Sequence, residues 1–446
     1  MKLHMVVDVD LGENQGSFQA CEQKAHDAML NFGVELMKQI LLSHEQQELK
    51  KKKYLIKDKR QKTYQTLSGE VCLERYRVFD RKTKRHVYLI DEWLGLKPHQ
   101  QISGGLKHKI VEACVQRPYR QATKEITQWT GIKRNPLSNW KMVQAESAKV
   151  LWQDSERGMR PYSWKRKPIP ERDPSKPDPC EVLCIDLDGT FCKTQKKRFP
   201  KHDIKQAVLY RYKQRIGNSK KHRLVDKQIV LSKTSETLDQ FLDRVTEKAI
   251  AHYGAHRDTL VVIHGDGGVW IRNFKINYFH KTLYRLDPWH VKKKMREALG
   301  TIEVPKAWEE LIYGKPDELV STLGLFMVQH TKPRSQEREK MQELIEYLKN
   351  NREGLLPSNI PPEMKEKHPR VFLRGSGQME SNICSAVCSR FKLRKMSWSG
   401  RGLDHLAALR ERHLNGYQQP KYKVPEPLTN IRIDLGSLGS LNLPSK

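Results

Sequence analysis

The sequence predicts a multidomain chain of mixed α and β structure, α+β in its N-terminal part and alternating α/β after it. Three observations carry this. Over the first 150 residues the apolar period passes from helical to alternating and back to helical. A stretch with six prolines among charges, 161–179, then divides the chain. Beyond it, two apolar runs that read as strands each end on an aspartate, with a helical segment between them. The length agrees: 446 residues at roughly 150 per domain make about three domains.

Composition narrows the function. The chain carries 82 Lys and Arg against 52 Asp and Glu, a formal charge of +30, so the expected partner is a polyanion, nucleic acid first; a basic surface that only solubilises is the plainer alternative. No apolar run reaches the roughly 18 residues of a membrane span. The start places Asp8 and Asp10 where a signal peptide needs an apolar core. Neither a Gly-x-Gly-x-x-Gly nor a Walker loop occurs, which argues against nucleotide-driven chemistry. The eight cysteines include two C-x-x-x-C pairs, Cys180/Cys184 and Cys384/Cys388. Neither has zinc-site spacing, so buried thiols in a reducing cytoplasm are expected.

In the N-terminal part, residues about 17–55 read as helix, with Ala25, Met29, Phe32, Leu36 and Ile40 at three- and four-residue steps; Lys50 to Lys53 read as its solvated end. Val71 to Phe79 read as a strand, Asp80 to Arg85 as a turn and His86 to Ile90 as the returning strand. Residues about 103–148 are helical again. Here Ala122, Ile126 and Trp129 form an apolar stripe, Gly131 suits a left-handed helix end, Asn135 a cap and Pro136 a first helical position. Leu137, Trp140 and Val143 are expected to face inward, and Lys133, Arg134, Ser138, Asn139 and Lys141 outward. This is a helix-turn-helix pattern whose second helix can enter a major groove, although many helical hairpins share it without touching DNA.

The chemistry is expected after the linker. Val182 to Ile185 runs straight into Asp186-Leu187-Asp188-Gly189, and alternation puts Asp186 and Asp188 on one strand face. Two acids there are costly to bury without a cation, and a divalent metal is the natural compensation; a strand-end turn at Asp188-Gly189 is the alternative. The stretch 193–223 holds twelve Lys or Arg, among them Lys196, Lys197 and Arg198, against one acid, Asp203. Within it Ala207–Tyr210, and after it Lys227–Leu231, read as strands of an antiparallel meander whose turns can lie along phosphates or simply be solvated. A helix over 235–253 leads to Leu260–Ile263, another apolar strand, then His264-Gly265-Asp266-Gly267-Gly268, whose glycines let a phosphate or a second backbone approach. After a strand at Thr282–Leu286, Asp287 can cap a helix with His290 three residues on. Residues 291–372 read as charged helix. Gly375-Ser376-Gly377 then precedes a helix on which Glu380, Cys384, Val387, Cys388 and Phe391 share one face, an acid on a stripe otherwise expected to face the core.

The order strand–Asp, meander, helix, strand–Asp, helical insertion, helix–Glu looks like the RNase H-like fold of DDE transposases. Asp188-Gly189, Gly265-Asp266-Gly267-Gly268-Val269-Trp270-Ile271, Asp287-Pro288-Trp289-His290, Gly375-Ser376-Gly377-Gln378-Met379-Glu380 and Met396-Ser397-Trp398-Ser399 with Gly402 and Leu406 resemble the ISLre-type transposase family of bacterial insertion sequences, long catalogued as an uncharacterised protein family. Gly69-Glu70-Val71 and Leu94-Gly95-Leu96 fit it as well, so the likeness runs from about 20 to 412. The Asp-x-x-His element also resembles Mutator-like transposases.

The resemblance implies Asp188, Asp266 and Glu380 as catalytic, metal-holding acids, with Asp186 the fallback for the first and Asp287 and His290 supporting the site. It implies two Mg²⁺ or Mn²⁺ ions, cleavage at element ends, transfer of the freed 3′-hydroxyl to target DNA, a dimer or larger assembly on DNA, and a nucleoid-associated place in a bacterial cytoplasm. The expected organisation is an N-terminal helical region 1–62, a β-hairpin region 63–100, a helix-turn-helix region 101–160, a linker 161–180, an RNase H-like domain 181–299 with 373–412, a helical insertion 300–372 and a loosely ordered tail 413–446. Two other readings are a DNA-binding protein with an inactive or domesticated catalytic domain, and an RNase H-like nuclease or resolvase without strand transfer.

Overall fold

The computed structural model describes residues 17–51, 53–156, 169–172, 180–195, 200–219, 222–272, 279–312, 315–332, 335–356, 362–371, 378–392 and 396–416. Among these it is a mixed α/β structure, and none of the helices is long and apolar enough to cross a membrane.

The N-terminal part begins with a 32-residue helix, α1 (Phe18–Leu49), and a three-stranded antiparallel sheet, β1 (Tyr54–Thr66), β2 (Gly69–Asp80) and β3 (Arg85–Tyr88). The helix ends at Leu49 and β1 begins at Tyr54, so this strand takes the place of the last residues of the helix expected to about 55 and of the helical region expected to 62. Its 12-pair register with β2 supplies backbone hydrogen bonds that the sequence pattern alone does not reveal. The returning strand ends at Tyr88, and Leu89–Trp93 turns into a short helix, α2. A small core of Leu41, Tyr64, Val71, Leu73 and Ile90 joins helix and sheet.

Three helices follow: α3 (Gly104–Gln116), α4 (Tyr119–Thr130) and α5 (Pro136–Glu156). Gly131 ends α4 at φ 68°, a left-handed conformation that glycine takes without strain. The Asn135 side chain accepts from the Leu137 N–H at 2.8 Å and opens α5. The helices are rotated from expectation, however. The buried residues of the pair are Ala122, Thr123, Ile126, Thr130, Asn139, Val143, Ser147 and Val150, while Trp129 is 57% and Leu137 56% exposed. Small polar groups form the contact, with Asn139 Nδ2 donating to Thr123 Oγ1 at 2.9 Å. The largest apolar side chains are thereby left outside.

After the linker comes a five-stranded sheet of β4 (Val182–Lys193), β5 (Lys201–Tyr210), β8 (Gln228–Leu231), β9 (Leu260–Gly265) and β10 (Lys281–Leu286), in the order β10-β9-β4-β5-β8. The strands β4, β5 and β8 form the antiparallel meander, and β9 and β10 run parallel to β4 on its other side. A separate ribbon, β6 (Tyr212–Arg215) with β7 (His222–Val225), interrupts the meander. Between β8 and β9 lies α6 (Leu238–Tyr253), opened by a reciprocal Thr237–Gln240 capping box. Then follow α7 (Pro288–Ile312), broken at Gly300, α8 (Pro316–His330), α9 (Gln336–Asn350), α10 (Arg352–Leu355) and α11 (Pro362–Lys367). Last come α12 (Gln378–Ile383), which continues as a π-helix over Cys384–Lys392, and α13 (Gly400–Leu414).

The strand alternation assigns the two sheet faces. Leu183, Ile185 and Leu187 point to α6 and to α7, α8 and α9; all three are fully buried, worth roughly 1.5–3 kcal/mol each. Val182, Cys184 and Cys192 point to the opposite face, where the π-helix and α13 pack together with α3, α4 and α5. The linker thus separates two stretches of sequence that share one core.

Candidate metal centre and nucleic-acid interface

Asp188 and Asp186 leave β4 on the same face, as alternation requires, but into different surroundings. Asp186 Oδ1 accepts from Tyr210 Oη at 3.0 Å and meets His264 Nδ1 at 2.9 Å. His264 is its direct neighbour across the parallel β4–β9 pair, so this carboxylate is engaged through Oδ1 within the sheet. Asp188 lies one residue beyond the last β4–β9 pair, Leu187–Gly265. It is 6% exposed, and its Oδ1 accepts from the Gly189 N–H at 2.7 Å.

Asp266 follows β9 directly. Its Oδ1 accepts from Gly268 N at 2.9 Å, and its carbonyl accepts from Tyr347 Oη at 2.9 Å. Gly267 makes this turn possible: it sits at φ 96°, and a Cβ there would meet Asn351 and Tyr347 at 2.8–2.9 Å. The Asp287 N–H donates to Gly265 O at 2.8 Å, which ties the start of α7 to the end of β9. One helical turn on, His290 Nδ1 lies 2.9 Å from Asp287 Oδ2.

These elements bring ligand atoms of Asp188, Asp266 and His290 within 4.8 Å of one another. Among the described residues this is the one group of three or more such side chains that can hold a metal ion. His290 therefore joins the centre itself, whereas the sequence reading gave it a supporting role. Burial pushes the Asp188 carboxyl up to about 6; the Gly189 hydrogen bond and His290 oppose this, and the charges of Asp266 and Glu380 add to it. Burial works against a charged His290, but the Asp287 hydrogen bond and the three aspartates outweigh it and raise its pKa. The centre thus sets several carboxylates against a single imidazole, an imbalance of charge. That imbalance, together with two carboxylates and one imidazole nitrogen, is a donor set that fits a divalent cation.

Glu380 opens α12 and is exposed. It is close enough for its charge to raise Asp188, but it stands outside the 4.8 Å group. The shared face expected for Glu380, Cys384, Val387, Cys388 and Phe391 is not observed, because the helix widens to π geometry at Cys384. Val387 and Phe391 face the core as expected, but Ile383, Ala386 and Arg390 join them there, and Cys384 is exposed rather than buried. Gly375-Ser376-Gly377 lies outside the described residues.

Of the five side chains expected to face DNA on the helix pair, Lys133, Ser138 and Lys141 are exposed. Asn139 is fully buried. Arg134 is half-buried and is held by Asn139 Oδ1 at 2.8 Å and Gln65 Oε1 at 2.5 Å. Both are withdrawn to internal hydrogen bonding. Lys196, Lys197 and Arg198 lie outside the described residues.

Sequence reading missed His264 and Tyr210 as partners of Asp186. The apolar strand β9 was visible, but not which strand it pairs with. Gln206 was missed as well. It stands opposite Asp188 in the β4–β5 register and is 2% exposed.

Residues 13–426 match the family described as Uncharacterised protein family (UPF0236). The chain belongs to UPF0236. Two UPF0236 proteins of Caldanaerobacter subterraneus subsp. tengcongensis are each 24% identical over 371 residues; the match spans 82% of this chain, and 70% and 67% of theirs. A third UPF0236 protein of that organism is 22% identical over 372 residues, and its name joins eleven locus designations.

Proposed function

We propose that this UPF0236 protein is a DDE-type transposase of an insertion sequence, which cuts DNA at the element end and joins the freed 3′-hydroxyl to target DNA. The observation that carries the reading is the convergence of Asp188, Asp266 and His290 within 4.8 Å where the first strand of the sheet outruns the fourth. We read the sheet, three antiparallel strands with two parallel strands beside the first, as RNase H-like, and α4–α5 as its helix-turn-helix. The relative whose name joins eleven locus designations supports this, since one protein encoded at many positions is what a mobile element leaves behind.

On this reading Asp188 and Asp266 hold the cation, with His290 as the nitrogen donor in reach. Glu380 at the rim is the group available for a second ion. Bound there, a divalent ion supplies Lewis-acid polarisation of the phosphate and lowers the pKa of the attacking oxygen. Asp287 engages His290 Nδ1 and so leaves Nε2 to the carboxylates, which fixes the tautomer whenever the ring is neutral. Asp186, already paired with Tyr210 and His264, stiffens β4 beneath the centre. Lys133, Ser138 and Lys141 are the groups of the helix pair free to meet phosphates.

The test is metal-dependent cleavage and joining of labelled DNA from the flanks of the coding region, with purified protein, Mg²⁺ or Mn²⁺, and Glu380→Gln beside wild type. Joining that is lost in the variant supports a transposase with Glu380 as its third acid. Cutting without joining moves the reading to a nuclease or resolvase. Binding without cutting in both proteins moves it to a DNA-binding protein, the reading that the separation of Glu380 from the other three groups favours.

A further inference from the structure

The strand β4 does not stop at the carboxylates. Past Leu187–Gly265, its last pair with β9, it runs on to Lys193 paired with β5. This arm is braced at its far end. Trp398 N donates to Lys193 O at 3.0 Å, and Gln195 N donates to Trp398 O at 2.9 Å. Trp398 is itself fixed, its Nε1 donating to Phe391 O at 2.9 Å. Between Leu187 and Lys193 the edge of β4 that faced β9 has no strand partner among the described residues.

One face of the arm is covered. Cys192 and Ile204 are buried there, and Lys392 Nζ donates to Thr190 Oγ1 at 2.9 Å. The other face is open at its far end. Phe191 is 60% exposed on it, an aromatic ring held on a rigid strand with water around it. Next to Phe191, Lys193 stands directly opposite Lys201, and both are exposed. Like charges paired across two strands are destabilising by themselves; a polyanion on this face reverses the sign. Asp203, the acid opposite Phe191, is already engaged by Lys205 at 2.7 Å. Phe191 lies three residues beyond Asp188, about 10 Å at the usual strand rise. The two side chains leave β4 on opposite faces, to either side of the edge that no described strand pairs.

We propose that this arm is a platform for an unpaired DNA strand: Phe191 stacks on a base next to the phosphate held at the carboxylates, and Lys193 and Lys201 hold the backbone that carries it. A ring with flanking cations is the chemistry that holds single strands without reading sequence. Duplex DNA does not offer a base face to Phe191, so the substrate at the cut is melted or splayed. The inference rests on the reading of the carboxylate centre as DNA-processing.

The experiment uses the full chain in EDTA, so that nothing is cut. The probes are a fluorescein-labelled blunt duplex and the same duplex with one splayed end carrying 2-aminopurine. Wild type is expected to prefer the splayed probe and to change its 2-aminopurine emission. Phe191→Ala is expected to weaken splayed-probe binding roughly tenfold and to abolish the emission change, with blunt-duplex affinity unchanged; Phe191→Trp keeps both signals. Lys193→Gln with Lys201→Gln is expected to reduce the salt slope for the splayed end by about 1.4. Equal affinity of wild type for both probes, or a Phe191→Ala protein that binds the splayed probe as wild type does, overturns the platform and leaves the DNA reading standing. Failure of wild type to bind either probe at low salt overturns the DNA reading itself.

Discussion

Replacing Asp188 by Asn should make the metal-free protein more stable near neutral pH, and the structure sets the size of the effect. The carboxyl is moved from an ordinary 3.8 to about 6, by burial first and then by Asp266 and Glu380. That displacement corresponds to about 3 kcal/mol of stability lost on ionisation. The attraction between Asp188 and His290 is already contained in that displacement, so the expected gain stays at about 3 kcal/mol. The pH window follows from the direction of the shift. Below about pH 4 the group is protonated in both folded and unfolded chains, and wild type has its full stability. As pH rises through about 6 the unfolded chain ionises first, wild type loses stability and the variant does not. In thermal melts with EDTA, the two proteins should coincide near pH 4 and separate by about 3 °C near pH 7, the shift expected for about 3 kcal/mol in a chain of 446 residues. Adding Mn²⁺ should raise wild type and leave the variant unmoved, because a ligand stabilises only the state that binds it. Equal melting at neutral pH in EDTA, or a gap that ignores pH, would refute the claim that the centre stores unbalanced negative charge.

Asp287→Asn removes the anionic partner of His290 and should weaken Mn²⁺ binding roughly 10–100-fold with little change in fold, as titration calorimetry and circular dichroism would show; unchanged affinity would detach Asp287 from the centre. Asn139→Ala should cost about 1–3 kcal/mol in urea unfolding because it strips a buried Thr123–Asn139–Arg134 network, whereas Ser138→Ala on the exposed face should stay within about 0.5 kcal/mol; similar costs for both would return Asn139 to the surface. Lys133→Ala with Lys141→Ala should lower the salt dependence of duplex binding by about two counterions, and an unaltered slope would take the helix pair off the DNA. Arg390→Met should destabilise by about 3 kcal/mol or more, since the 1%-exposed guanidinium donates from Nε and Nη2 to Cys114 O at 3.0 and 2.9 Å and its loss strands a buried carbonyl; a neutral result would mean that Met packing makes up for the lost bonds.

The parts of this fold that were legible in the sequence are those where one strand or one helix end decides the outcome. Alternation along Val182–Asp188 fixed the shared face of the two aspartates, and Asp287-Pro288 marked the start of a helix with His290 one turn inside. Choosing Asp188 over Asp186 needed the pairing of β4 with β9 and β5, because His264 and Tyr210, which occupy Asp186, come from other strands. The helix pair was misread for a physical reason. A reading that buries the largest apolar residues turns Trp129 and Leu137 inward, but the observed contact combines smaller apolar residues, Ala122, Ile126, Val143 and Val150, with Thr123, Thr130, Asn139 and Ser147, and the Asn139–Thr123 hydrogen bond crosses it. The stripe through Glu380 failed because its period was taken as 3.6, and the π-helix from Cys384 changes the period itself.

That π-helix has a further consequence for the centre. Widened helical turns leave carbonyls poorly paired with their own chain, and here Arg410 takes up two of them: Nη2 donates to Ser385 O at 2.6 Å and Nε to Ala386 O at 3.2 Å. The same guanidinium donates to Val115 O at 3.2 Å, beside the Cys114 carbonyl that Arg390 engages. Both arginines are deeply buried, and their positive charges meet the negative end of the α3 dipole. The helix that carries Glu380 in its first turn is therefore anchored by charge to the end of α3, which packs with the helix pair carrying Lys133 and Lys141. The geometry of the acid at the rim and the seating of the basic helices are set by one set of buried contacts, so a change that loosens either is expected to reach the other.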